Sequence, residues 1–350
     1  MKHLTPLRFG STLAVLAGLL LVAALFALVT GPSAIGLEAV RDALLAPAAM
    51  DPGADIVRGI RLPRILLAAL VGACLACAGV IFQALLRNPL ADPFILGVSG
   101  GAALGAIVVL SLGGLLGLGY SAVPPAAFAG CLLTLLLLYT VAGRGSRISA
   151  TALLLTGVVF NAFASAAIIF LASLSDMLEG SRIFVWLIGN LSSARLDVAP
   201  WLALFLLVGV TCALFSARGL NALALGEETA EQLGVATEGQ RRLLLVAGSL
   251  MVGAAVSVSG LIGFVGLIIP HALRLVVGPD HRLLVPASAL AGAAFLVVCD
   301  TVARSVLGGR ELPVGAITAL LGGPVFLIML QRSQQNWSAP AGGAMRGRAQ

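Results

Sequence analysis

Ten separate apolar stretches limit what this chain can become more than any other feature. They fall at roughly 13–30, 62–86, 93–112, 122–142, 150–172, 198–217, 243–263, 264–278, 284–304 and 313–331. A hydrocarbon core about 30 Å thick takes about 20 apolar residues in helical form. Inside it every backbone N–H and C=O needs a partner within the protein, which leaves only helices or closed barrels. Aromatics make up 5% of the chain and glycines number 42. That favours closely packed helices over a barrel with aromatic girdles. The expected fold is all-α: a polytopic membrane protein of about ten helices, one domain over 1–350.

The charge count agrees. Charged residues are 10% of the chain and hydrophobic ones 59%, with mean hydropathy +1.07; a soluble domain runs near a quarter charged. Lys2 is the only lysine, so no phosphate-binding G-x-x-x-x-G-K-[ST] loop exists here. Three histidines, His3, His271 and His281, form no H-E-x-x-H site, and no metal or cofactor is expected on this chain. The net charge of +6 sits in short connections and reads as membrane orientation, not as a nucleic-acid patch. Cys74 and Cys77 have a redox-like spacing, but VGACLACAG around them reads as a small-residue helix face. Lys2 and Arg8 before the first stretch imitate a signal peptide; with nine spans following, we expect a retained first helix.

Ten spans put both termini on one side, with thirteen basic residues in the connections there and eight on the other. The positive-inside rule then places both termini in the cytoplasm. An offset of 181 residues aligns Val71-Gly72-Ala73 with Val252-Gly253-Ala254, Gly79 with Gly260, Pro89 with Pro270 and Gly97 with Gly278. The expected plan is an inverted repeat with halves near 62–172 and 243–331. The tail at 333–350 is expected to be disordered.

Five segments carry more than hydropathy. Arg61-Leu-Pro-Arg64 is either a pair of interfacial anchors or a cationic docking point on the outer face. In 83–101, Asn88 and Asp92 precede Pro89 and Pro93 and can cap a tight turn between two helices. The 218–242 connection holds four of the fifteen acids and reads as two short amphipathic helices outside the bilayer, a natural partner contact. The fourth segment, 260–282, contains Pro270, which interrupts the backbone ladder. In the fifth, Asp300 and Arg304 are four apart and can pair on one helix.

Together these segments resemble the permease family of ABC importers for iron chelates, haem and vitamin B12. The resemblance covers roughly 13–332 and rests on RLPR at 61–64, RNPLADPFILGVSGGA at 87–102, LGEETAEQLGV at 225–235, GFVGLIIPHALRL at 263–275 and ARSVLGGRELPVGAITALLGGPVFLIML at 303–330. It implies a multi-pass protein of the bacterial inner membrane working as a homodimer. Two ATPase subunits bind below, hydrolysing the ATP, and a periplasmic or lipid-anchored substrate-binding protein delivers cargo above. Binding-protein docking falls on Arg61, Arg64 and Arg304. ATPase coupling falls on Leu225, Gly226, Glu227, Glu228, Ala230, Leu233 and Gly234. The gate falls on Ser149, Ala150 and Thr151, and the helix-turn motif on Asn88, Pro89, Asp92, Pro93 and Pro270. A ferric siderophore is the first choice of cargo, with cobalamin or haem the alternatives.

Two rival classes are weaker. Gly97-Val-Ser-Gly100 has the G-x-S-G form of an intramembrane serine protease with His271 as its base, but the longer motifs already account for these residues. An ion-driven secondary transporter needs carboxylates within spans, and the spans are nearly bare of them.

Overall fold

The computed structural model describes residues 5–33, 35–46, 51–142, 149–192, 195–307 and 310–338. Among these the chain is helical throughout, with short connections. Helix α1 (Pro6–Val29) starts with a Thr5 side-chain cap and a proline in its first turn. The short α2 (Leu37–Leu45) and α3 (Pro52–Ile56) follow, and a π-turn at Val57–Arg61 leads into α4 (Leu62–Leu85). Next come α5 (Val98–Leu112), α6 (Val123–Ala142), α7 (Ala150–Ser173), α8 (Met177–Ile188) and α9 (Ala199–Phe215). Two short helices, α10 (Ala217–Leu223) and α11 (Glu227–Gln232), precede α12 (Thr237–Ser259), α13 (Val265–Val277), α14 (His281–Ser305) and α15 (Val314–Ser338).

All ten expected apolar stretches are helices. Seven lie in helical segments long and apolar enough to cross a bilayer, and α5, α13 and the apolar part of α15 are shorter. The chain is a multi-pass membrane protein. Its helices alternate in direction, so α1 begins and α15 finishes at one end, here the near end. The far end holds α2, α3, α8 and the α14–α15 connection. Helix α15 runs to Ser338, so the first residues of the tail expected to be disordered are helical; 339–350 lie outside the described residues.

Helix α4 is the axis of the bundle: most of its residues are buried, whereas α1 buries only Ala23, Ala27 and Leu28. It packs on α14, α12, α13 and α9. Lipid offers no hydrophobic drive between helices, so close contact must come from small residues. At Gly72 an added Cβ would strike the carbonyl of Gly292 on α14, and at Gly79 the backbone of Gly266 on α13.

The 86–97 connection enters the bundle instead of lying on its surface. Gly97, left-handed at φ +81°, closes a 3-10 turn (Pro93–Leu96) and packs against Gly157, two turns along α7. Residues 260–264 make the matching break before α13, with Gly260 at φ +67° and Phe264 at φ +70°. Helix α13 continues through Pro270, whose nitrogen has no proton to give to the ladder, so the helix is interrupted in its hydrogen bonding but not in its course.

These directions refine the repeat. Helices α4 and α12 run oppositely. The 181-residue register then slips: it sets the 86–97 turn on α13 and α5 on α14, which run in the same direction. The Pro89/Pro270 and Gly97/Gly278 matches therefore join elements that are not equivalent.

Candidate functional site

At the far end a charge cluster joins four parts of the chain. Arg64 on α4 donates from Nε to both carboxylate oxygens of Asp300 on α14, at 2.9 and 3.0 Å, and from its Nη1 to Glu311 at 2.8 Å. Arg304 sits one turn along from Asp300, with Nε 3.6 Å from its carboxylate, and donates to the Ala27 carbonyl at 2.5 Å. Arg61 donates to the carbonyls of Leu28, Val29 and Ser33. Three arginines against two acids leave the cluster with one positive charge in excess.

The family resemblance places binding-protein docking on Arg61, Arg64 and Arg304. The three are 2%, 4% and 3% exposed, and each spends donors on internal acceptors. The cause is local: the end of α1 and the turn after it leave carbonyls at Ala27, Leu28, Val29 and Ser33 that must be satisfied in a poorly hydrated setting; Arg61 and Arg304 reach them, while Arg64 is spent on Asp300 and Glu311. Glu311 is the accessible member, with 40% of its side chain exposed. Asp300 does lie beside Arg304, as the spacing predicts, but its nearer partner is Arg64.

A cavity of about 390 Å³ lies at the same end, lined by none of the cluster's residues. Tyr120, Trp186, Asn190, Arg195, Ser257 and Ser259 are among its lining residues, a mixed surface able to hold a part-polar organic molecule.

At the near end α10 and α11 are the two short helices expected in 218–242. Gly226 (φ +125°) and Gly234 (φ +79°) bound α11, conformations that glycine adopts without penalty. Leu225 and Leu233 are each 65% exposed and Glu228 is exposed, whereas Ala230 is buried beneath them. Glu227 points inward, 3.2 Å from Arg87 of the 86–97 connection and 3.0 Å from Arg241 of α12. The presenting surface is therefore Leu225, Glu228 and Leu233, while Glu227 fastens it to the bundle.

The helix-turn motif caps its own backbone as expected. Asn88 Oδ1 accepts from Leu90 N–H at 2.9 Å and Asp92 Oδ1 from Phe94 N–H at 2.8 Å. Pro93 and Pro270 are buried. Ser149 caps α7 through the Ala152 N–H at 3.4 Å, and Thr151 is exposed beside Ala150 in the first turn.

Sequence reasoning missed several participants: Arg87 and Arg241 as holders of Glu227, Gln83 with Arg274 at 3.0 Å, and Asn161, which donates to the Phe94 carbonyl at 2.9 Å. Gln83 and Asn161 had a usable signal, each being a lone amide within an apolar span. Ser99 and the Nδ1 of His271 are buried without hydrogen-bond partners. They are not bonded to each other, so the G-x-S-G sequence forms no activated serine. The five cysteines are free thiols, four of them buried.

A bundle of seven membrane-length helices and three shorter apolar ones, with charged anchors at one end and a braced helical hairpin at the other, has the architecture of a transport permease. The FecCD transport family model matches residues 19–332, and this chain belongs to that family. It is 47% identical over 276 residues to the cobalamin import system permease of Halobacterium salinarum, covering 79% of this chain and 73% of that one. It is 43% identical over 283 residues to the hemin transport system permease of Yersinia pestis, covering 80% and 84%. The vitamin B12 import system permease of Salmonella typhimurium is 42% identical over 274 residues, covering 78% and 83%. The fold matches a metal-chelate type ABC transporter solved in an inward-facing conformation, with TM-score 0.81, 31% identity, and 92% and 99% of the two chains covered.

Proposed function

We propose that this chain is the membrane subunit of a binding-protein-dependent ABC importer and moves a metal chelate into the cytoplasm. The observation that carries this is the α10–α11 hairpin: exposed leucines on a pair of helices braced to three parts of the bundle, in a chain that has no phosphate loop of its own. Such a chain must take its energy from a separate ATPase, and a rigid protruding element is what transmits it. Two copies of the chain with two ATPase subunits form the working unit, and both termini lie on the ATPase side in the cytoplasm. A periplasmic or lipid-anchored binding protein docks at the far end, where Glu311 and the excess positive charge of the Arg61–Arg64–Arg304 cluster guide it. Ser149, Ala150 and Thr151 at the near end of α7 form the gate.

The relatives named for cobalamin and hemin move the cargo preference toward a metal tetrapyrrole, with a ferric siderophore second. The mixed far-end cavity suits the part-apolar, part-polar edge of such a molecule. The test is reconstitution in liposomes with the cognate ATPase and binding protein, offering cyanocobalamin, haem and a ferric hydroxamate separately. ATP-dependent accumulation of one of them supports the reading. Accumulation by the chain alone against a gradient would overturn it.

A further inference from the structure

Asn221 lies in α10, and its side chain is given entirely to the start of α14. Its Nδ2 donates to Asp280 Oδ1 at 2.9 Å. Its Oδ1 accepts from the His281 backbone N–H at 2.9 Å and faces His281 Nδ1 at 2.7 Å. An amide oxygen only accepts, so His281 carries its proton on Nδ1. That leaves Nε2 buried with no partner, and the ring is 3% exposed. Asp280 in turn caps α14 through the Arg282 N–H at 3.1 Å and pairs with the Arg282 side chain at 2.7 Å.

Side-chain contacts tie the hairpin to three elements: Glu227 to Arg87 of the 86–97 connection, Glu227 and Glu231 to Arg241 and Thr237 of α12, and Asn221 to Asp280 and His281 at the start of α14. The third lands on the helix whose other end carries Asp300 and Arg304. Helix α14 is continuous over 25 residues, so its start stands about 30 Å from Asp300 at 1.5 Å per residue. A displacement of α10 along the bundle has no slack to lose at this joint. Three short hydrogen bonds converge on one amide, in a buried setting where unmaking them leaves polar groups unpaired.

We infer that Asn221 is the positioning residue through which motion of the α10–α11 hairpin reaches α14, and with it the Arg64–Asp300–Arg304 cluster at the far end. This rests on the reading of the hairpin as the ATPase contact. Asn221 touches neither cargo nor nucleotide; it works by holding α14 to the moving part.

The experiment uses the full complex in liposomes, with cyanocobalamin, haem and a ferric hydroxamate as probes. With Asn221→Ala, the ATPase still co-purifies and hydrolyses ATP within about twofold of wild type. Uptake falls roughly tenfold, mid-range for residues on a coupling route, and the binding protein no longer stimulates hydrolysis. The exchange variant, Asn221→Asp with Asp280→Asn, swaps amide and carboxylate across the same hydrogen bond and restores most of the uptake, whereas Asn221→Asp alone does not. Wild-type uptake in Asn221→Ala overturns the inference. So does loss of uptake that only follows loss of the ATPase, or a well-folded exchange variant that stays inactive. If Asn221→Ala does not fold, the contrast between Asn221→Asp alone and the exchange variant decides. Leu225→Asp with Leu233→Asp separates the two readings. If the ATPase still binds that variant, the hairpin reading fails; if binding is lost while Asn221→Ala transports normally, only the present inference fails.

Discussion

Arg64 and Asp300 meet at 2.9 Å across 236 residues of sequence, both nearly sealed from solvent. The pair ties the central helix α4 to α14 and sets the charge balance of the far end. Removing one member of a buried pair leaves the other uncompensated and costs about 3–5 kcal/mol. Asp300→Ala leaves Arg64 with Glu311 alone and Arg304 without a carboxylate beside it, and the thermal midpoint of the purified protein in detergent should fall by several degrees or more, at about 2–4 °C per kcal/mol. Glu311→Gln removes the half-exposed acid and should cost about 1 kcal/mol or less, as exposed pairs do. Equal shifts for the two variants would show that the cluster does not depend on burial.

Backbone contact at glycine gives a sharper contrast. Gly72→Ala and Gly79→Ala would press a methyl into the backbone of Gly292 and of Gly266, with no flexible side chain to yield. Overpacking of this kind costs about 1–3 kcal/mol or more. Gly114→Ala and Gly323→Ala meet open space. Thermal midpoints should fall for the first two and hold for the others.

The hairpin surface can be tested apart from the fold. Leu225 and Leu233 face outward, so Leu225→Asp with Leu233→Asp should leave the thermal midpoint near wild type, since surface changes stay within about 0.5 kcal/mol. Co-purification with the ATPase should be lost. Ala230→Asp, at a buried position, should instead lower the midpoint.

Asp280 supplies a pH prediction. Its carboxyl is held down at about 2, chiefly by the Arg282 side chain, with Asn221 adding to the effect against partial burial. A depressed carboxyl pKa contributes stability that is present above the ordinary value near 3.8 and lost as pH falls through about 2. Between pH 5 and 8 this group should therefore leave stability flat. Comparing thermal midpoints at pH 3 and pH 5, Asp280→Asn should show a smaller acid loss than wild type.

Hydropathy made the helices legible because a bilayer admits so few alternatives. All ten stretches are helices, and even short α13 could be separated from α12. Gly226 and Gly234 announced the ends of α11 for the same physical reason that they adopt positive φ. What stayed hidden depends on pairs distant in sequence. RLPR reads equally well as anchor, docking point or buried network, and only the folded position of Asp300 and of the carbonyls at 27–33 decides. Glu227 looks like a surface acid until Arg87 and Arg241 arrive from two other elements. The 181-residue match failed beyond its first helix because Gly and Pro mark several kinds of backbone break alike, a turn in one half and a helix in the other.

The glycine contacts at Gly72 and Gly79 also decide where motion can occur. Two helices touching backbone to backbone cannot roll over one another, having no side-chain layer to slide on. Helices α4, α13 and α14 therefore behave as a keel, carried whole through any transport cycle. Alternation is left to elements seated less deeply, among them α7, which buries only Leu153, Gly157, Ala164 and Ile168. An inhibitor designed to arrest such a machine should wedge the loose helix and leave the keel alone.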